Sequence, residues 1–273
     1  MKKRTKILLG ILSVLSAGLC LVCCLFIFQY FRGGALNDQM EELTNAIWGE
    51  DIVLIPVHPG QLSGGQEEQI PEPERPEWFL NIDFEALAEV NEDIYAWIDI
   101  PDTGVSYAVV QSPTDNLYYN THSVDKTYYT GGSIYSQRYN TKTFEDPVTV
   151  LYGHNRQTKT MFAPVNDYAG KDFFDAHPYI YIYTPERVYQ YHIFAAYPHS
   201  SEHLLLCHNF ASKQQFNTFF RELYDGIDTN YRRELFPEAG ERVLTLSTCY
   251  KDNRMQRYLV QGVLEMEYII EKQ

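Results

Sequence analysis

Short runs rich in β-branched and aromatic residues, set apart by turn residues, recur from residue 105 to residue 266. They occupy 105–111, 131–135, 147–152, 179–184, 187–197, 243–248 and 257–266. The plainest is Tyr179-Ile-Tyr-Ile-Tyr183. Residues of this kind fit a pleated, half-buried surface, so each run predicts a strand. Many short strands with few helices predict a mainly β fold, a closed or nearly closed barrel.

Helical spacing appears in two places. Residues 83–91 put Phe84, Leu87 and Ala88 on one side. Later, Ser212 and Gln215 make a capping box. Phe216, Phe219, Phe220, Leu223 and Tyr224 follow at helical spacing, and Gly226 can end the helix. This aromatic stripe reads as core packing, with a helix inserted between late strands.

The N-terminal part has a different pattern. Lys2, Lys3, Arg4 and Lys6 precede an uncharged apolar stretch, 7–31. At about 1.5 Å per residue it exceeds a hydrocarbon core of about 30 Å. It is also longer than a signal-peptide core. The expectation is a cytoplasmic tail at 1–6 and a transmembrane anchor at 7–31, with the rest outside the cell. Residues 37–48 read as a short helix capped by Asn37. Residues 49–77 are rich in Pro, Gly, Gln and Glu, so 32–77 is expected to be a helix and stalk. The globular domain is expected over 78–273.

Composition then narrows the chemistry. The net charge of −14 argues against nucleic acid as a partner, because phosphate binding needs a basic face. Of five cysteines, Cys20, Cys23 and Cys24 lie in the apolar stretch. Only Cys207 and Cys249 remain, too few for a disulfide framework. A Cys207–Cys249 bridge would consume a thiol that has a better use.

That use follows from Val243-Leu-Thr-Leu-Ser-Thr-Cys249, which carries a cysteine to the end of an apolar strand. On a period of two, Leu244 and Leu246 share the core face, and Ser247 shares the other face with Cys249. Eight residues on, Arg257 opens the next strand. The connection suits two antiparallel strands, which would set Arg257 beside Cys249. His154 follows the strand 147–152 in Tyr-Gly-His-Asn. Nearby cations lower the pKa of a thiol and make it a nucleophile, so these residues suit acyl transfer through a thioester. An inert buried cysteine stays open at this point. His199, His203, Cys207 and His208 suggest zinc, but their run is not convincingly helical and no second ligand cluster lies nearby. No metal or cofactor is expected.

Leu-Thr-Leu-Ser-Thr-Cys249 with a downstream arginine resembles the signature of the sortases, cell-wall transpeptidases of Gram-positive bacteria. The resemblance runs from about Trp78 to the C-terminus. Further landmarks are Asn91-Glu-Asp-Ile-Tyr-Ala-Trp-Ile98, Asp115-Asn-Leu-Tyr-Tyr119, Gly131-Gly-Ser-Ile-Tyr135 and Leu151-Tyr-Gly-His-Asn155. It implies an eight-stranded β-barrel with N-terminal helices. The helix at 212–224 is similar to the added helix of class B. By resemblance Cys249 is the nucleophile, His154 the general acid/base and Arg257 the oxyanion or substrate stabiliser. Ser247 and Asn116 match substrate-groove positions. The implied partners are surface proteins bearing a sorting motif, cut after threonine, and an amine of peptidoglycan precursor or cross-bridge. Tyr135 stands where phenylalanine is common in the family, and 200–210 matches no family pattern. A plain cysteine protease and a non-catalytic adaptor remain as alternatives.

Overall fold

The computed structural model describes residues 16, 18–24, 52–58, 78–251, 253 and 255–272. The chain divides into two compact units, Met1–Met40 and Glu41–Gln273. In the first unit, Ser16 and residues 18–24 are helical and exposed. Among the described residues no helix is long and apolar enough to cross a membrane. This overturns the expected single-pass anchor and the localisation built on it. The rest of 7–31, the tail 1–6 and the expected helix 37–48 lie outside the described residues.

Ten strands form the second unit: β1 (Ile52–Val57), β2 (Ile94–Ile100), β3 (Val105–Val110), β4 (Ile134–Ser136), β5 (Val148–Tyr152), β6 (Tyr179–Tyr183), β7 (Arg187–His199), β8 (Asn230–Tyr231), β9 (Val243–Cys249) and β10 (Arg257–Lys272). Eight close into a barrel in the order β10-β9-β5-β4-β3-β2-β6-β7, and β7 returns to pair with β10. The pairs β3–β4 and β5–β9 are parallel. The other neighbours in the barrel are antiparallel. The two remaining strands add to the outside, β1 on β10 and β8 on β7.

Seven barrel strands match the runs read from the sequence. The eighth, β2, was not read as a strand. Six of its seven residues are buried, so it lacks the alternation that marks a half-exposed strand. β1 lies within the segment 32–77 whose composition reads as helix and stalk, and it pairs with β10. Pro56 disguises it, yet proline is tolerated at an outer strand.

The barrel interior is filled by inward residues of every wall, among them Ile98, Val109, Leu151, Ile182, Ile193, Leu244 and Leu246. Burying one such side chain stabilises the fold by about 1.5–3 kcal/mol. A second cluster covers the outside of β5, β9, β10 and β7. There the helix at Lys213–Gly226 (α4) lays Phe216 and Phe220 against Phe194 and Phe210. Ser212 caps α4 by accepting from the Gln215 amide, as the capping pattern predicts. Among the described residues of the second unit three shorter helices precede it: α1 (Phe84–Val90), α2 (Lys171–Ala176) and α3 (Leu204–Cys207). The helix α3 belongs to the connection between β7 and α4, which passes along the outer end of β9 and β10.

Candidate active site

Cys249 ends β9 and Arg257 opens β10, and the two are direct partners in the antiparallel ladder. Directly opposed residues project from the same face of a sheet. Accordingly Arg257 Nη1 lies 3.6 Å from Cys249 Sγ. The leucine face of β9 enters the barrel, while Ser247 and Cys249 stand on the outer face. Cys249 is half-buried, and both it and the exposed Cys207 are free thiols.

The position of His154 follows from β5. That strand runs parallel to β9 with Tyr152 in register with Ser247. The Gly153 amide extends the ladder to the Ser247 carbonyl at 3.2 Å. His154 follows at once, and the next residue, Asn155, reaches the Cys249 carbonyl. Gly153 serves close packing rather than a turn. A Cβ there would sit 2.5 Å from Ile134 Cδ1 and 2.7 Å from the Phe162 ring. His154 Nε2 is 2.8 Å from the Asn120 carbonyl. A carbonyl only accepts, so Nε2 carries the proton in this contact.

Two residues that the sequence did not single out fix the backbone of Cys249. Asn155 Nδ2 and Asn166 Nδ2 donate to its carbonyl at 3.0 and 3.3 Å. Asn166 Oδ1 also accepts from the Lys251 amide at 2.9 Å. Asn155 was within reach of sequence reasoning, being next to His154. Asn166 carried no such signal, because only folding brings it to Cys249.

A groove of about 280 Å³ runs away from Arg257. Tyr135, Tyr152, Val150 and Leu259 line its apolar side, and Ser247, Gln137, Glu202 and His203 supply polar groups. The Tyr135 and Tyr152 rings stack with centroids 5.4 Å apart. Burial pushes the Tyr135 hydroxyl up to about 12 against the opposing pull of Arg257. Burial likewise raises Tyr152. Both rings therefore offer neutral surfaces at physiological pH.

Ser247 thus lies in the groove, 6% exposed. Asn116 has a different place. Its Oδ1 accepts from the Arg138 amide at 2.9 Å, which fastens one loop to another beside the groove residue Leu117. His199, His203 and His208 do come near one another, but among the described residues no group of three or more His, Cys, Asp and Glu is placed to hold a metal ion.

The Sortase domain family model matches residues 98–265. Sortase B of Listeria monocytogenes is 32% identical over 180 residues, 65% of this chain and 72% of that protein. The solved sortase B of Clostridium perfringens superposes with a TM-score of 0.60 at 27% identity, covering 67% of this chain and 99% of the other. A Staphylococcus aureus sortase B–substrate complex superposes with a TM-score of 0.55 at 27% identity, covering 69% and 84%. The chain belongs to the sortase family, enzymes that act as transpeptidases. Within that family its similarities place it with class B.

Proposed function

We propose that this sortase cuts a C-terminal sorting motif after threonine and passes the acyl group to a cell-wall amine. The observation that carries the reading is the 3.6 Å approach of Arg257 Nη1 to Cys249 Sγ beside a groove of about 280 Å³ that Arg257 and Ser247 line. The catalytic domain spans 78–273 with β1 added to its outer side.

In this mechanism the Cys249 thiolate attacks the threonine carbonyl carbon, and a C–S bond forms. The carbonyl oxygen takes the negative charge, and Arg257 donates hydrogen bonds to it. One donor of this kind lowers the barrier by about 3–4 kcal/mol. The C–N bond then breaks, and His154 gives its proton to the departing amine. A thioester remains. The incoming amine attacks it, loses a proton to His154, and expels the thiolate. The aromatic side of the groove and Ser247 hold the peptide upstream of the threonine. Asn155 and Asn166 keep the Cys249 backbone in place, and Asn116 shapes the groove wall through Arg138.

A sorting peptide incubated with an amine acceptor tests the reading. The expected result is a ligated product by mass spectrometry and none with Cys249→Ala. Hydrolysed peptide alone, at every acceptor concentration, would assign a protease instead. Normal turnover by Cys249→Ala would remove the thiol from the mechanism.

A further inference from the structure

The strand register sets a third residue in the row formed by Cys249 and Arg257. On its other side, Arg257 is the direct ladder partner of His199 at the end of β7. Cys249, Arg257 and His199 therefore project from one face of three neighbouring strands. Beyond His199 comes Glu202. Its Oε1 lies 3.5 Å from His199 Nε2 and 3.6 Å from His208 Nε2. Neither imidazole nitrogen has a hydrogen-bond partner, so the carboxylate is what each of them faces. Glu202 is the one acid among the residues that line the groove with Arg257.

Glu202 and Arg257 line the same groove, so each is an alternative partner for the other. A bidentate Arg–carboxylate pair is the strongest geometry open to either group. Formed across the groove, it would occupy the donors of Arg257 and cancel its charge. Instead Glu202 Oε1 lies against two imidazoles, while Arg257 Nη1 lies against Cys249 Sγ. Burial holds the His199 pKa below its ordinary value, with Glu202 opposing the shift only in part. The groups facing His199 are Glu202 and His208 of the following segment and Arg257 of β10, while the Tyr197 ring stands edge-on at 6.1 Å.

We infer that His199 and His208 form a clamp that withholds the Glu202 carboxylate from Arg257 and so keeps the guanidinium available to Cys249. They are positioning residues. The inference rests on the proposed role of Arg257. It assigns a task to Glu202 and His208 in the segment 200–210, which matches no family pattern.

The test compares His199→Ala, His199→Gln and the double variant His199→Ala/Glu202→Gln. Removing the clamp should lower kcat for peptide cleavage by about tenfold with little change in KM, part of the loss that a missing oxyanion donor gives. Taking away the competing carboxylate in the double variant should restore most of that loss. A merely structural His199 predicts no rescue. The second readout is the rate of Cys249 alkylation by iodoacetamide, resolved from Cys207 by mass spectrometry. It should fall in His199→Ala and recover in the double variant, because a guanidinium drawn to Glu202 leaves Sγ without its 3.6 Å partner. That readout needs no peptide, so it stands even if the proposed reaction fails. Thermal midpoints and the gentler His199→Gln identify a folding defect. A double variant no better than His199→Ala, in both turnover and alkylation, overturns the clamp. So does a His199→Ala protein with wild-type values in both.

Discussion

Arg257 and Cys249 face each other across adjacent antiparallel strands, with Nη1 3.6 Å from Sγ. The contact is set by backbone register, so the guanidinium is positioned before any substrate arrives. Replacing Arg257 by Lys keeps the charge but loses the planar fork and much of the reach. Arg257→Lys should lower kcat/KM for a fluorogenic sorting peptide by about 10²-fold or more, on the scale of a lost oxyanion donor. Wild-type kinetics in this variant would exclude a role for the fork.

Asn166 is 2% exposed and serves Cys249 O and Lys251 N at once. Asn166→Ala leaves both backbone groups short of a partner, a penalty of about 1–3 kcal/mol. The loss falls next to the thiol. A drop in thermal midpoint is expected together with a lower kcat. Asn155→Ala removes only one donor to the same carbonyl and should shift both by less. Calorimetry and peptide turnover on the two variants check the order.

Gly132 links the loop under His154 to the barrel. Its φ is +59°, and a Cβ there would meet the Tyr119 and Asn120 carbonyl oxygens at 2.7 Å. The second of these carbonyls is the partner of His154 Nε2. Gly132→Ala should destabilise the domain by more than about 1 kcal/mol from the left-handed backbone alone. It should also impair turnover, since the clash pushes on the atom that orients His154. Denaturant unfolding and kcat measured together would show both effects.

Asp99 gives a pH prediction. Burial raises its pKa from 3.8 to about 6, with Asp102 adding to the rise and Ser106 opposing it. A raised folded pKa means that the ionised form is disfavoured in the fold. Its stabilising contribution is complete below the unfolded value of 3.8 and is lost as pH rises through about 6. Asp99→Asn should therefore raise the thermal midpoint relative to wild type at pH 7–8 and not at pH 4. An equal difference at both pH values would contradict the shift.

Most barrel walls were legible because β-branched and aromatic runs carry their own signal. The Leu244 and Leu246 face of β9 followed from the period of two, and the α4 stripe followed from the period of 3.6. β2 was not legible as a strand, since a wall buried on both sides shows no alternation. β1 hid behind a proline and the composition of its neighbours. The apolar stretch 7–31 shows the opposite failure. Its length and apolar character pointed to a span, whereas among the described residues no helix is long and apolar enough to cross a membrane.

By itself the sequence determined the thiol, the arginine, the histidine and the strands that carry them. These are local facts of residue type and periodicity. Only the tertiary structure decided what surrounds them. The Cys249 carbonyl is held by Asn155 and Asn166, the His154 ring by Asn120, and Glu202 by His199 and His208. Apart from His199, Glu202 and His208, these partners come from separate segments, and no local pattern announces them. Barrel closure brings β7, β10 and β9 side by side, and the register of that closure sets His199, Arg257 and Cys249 in one row.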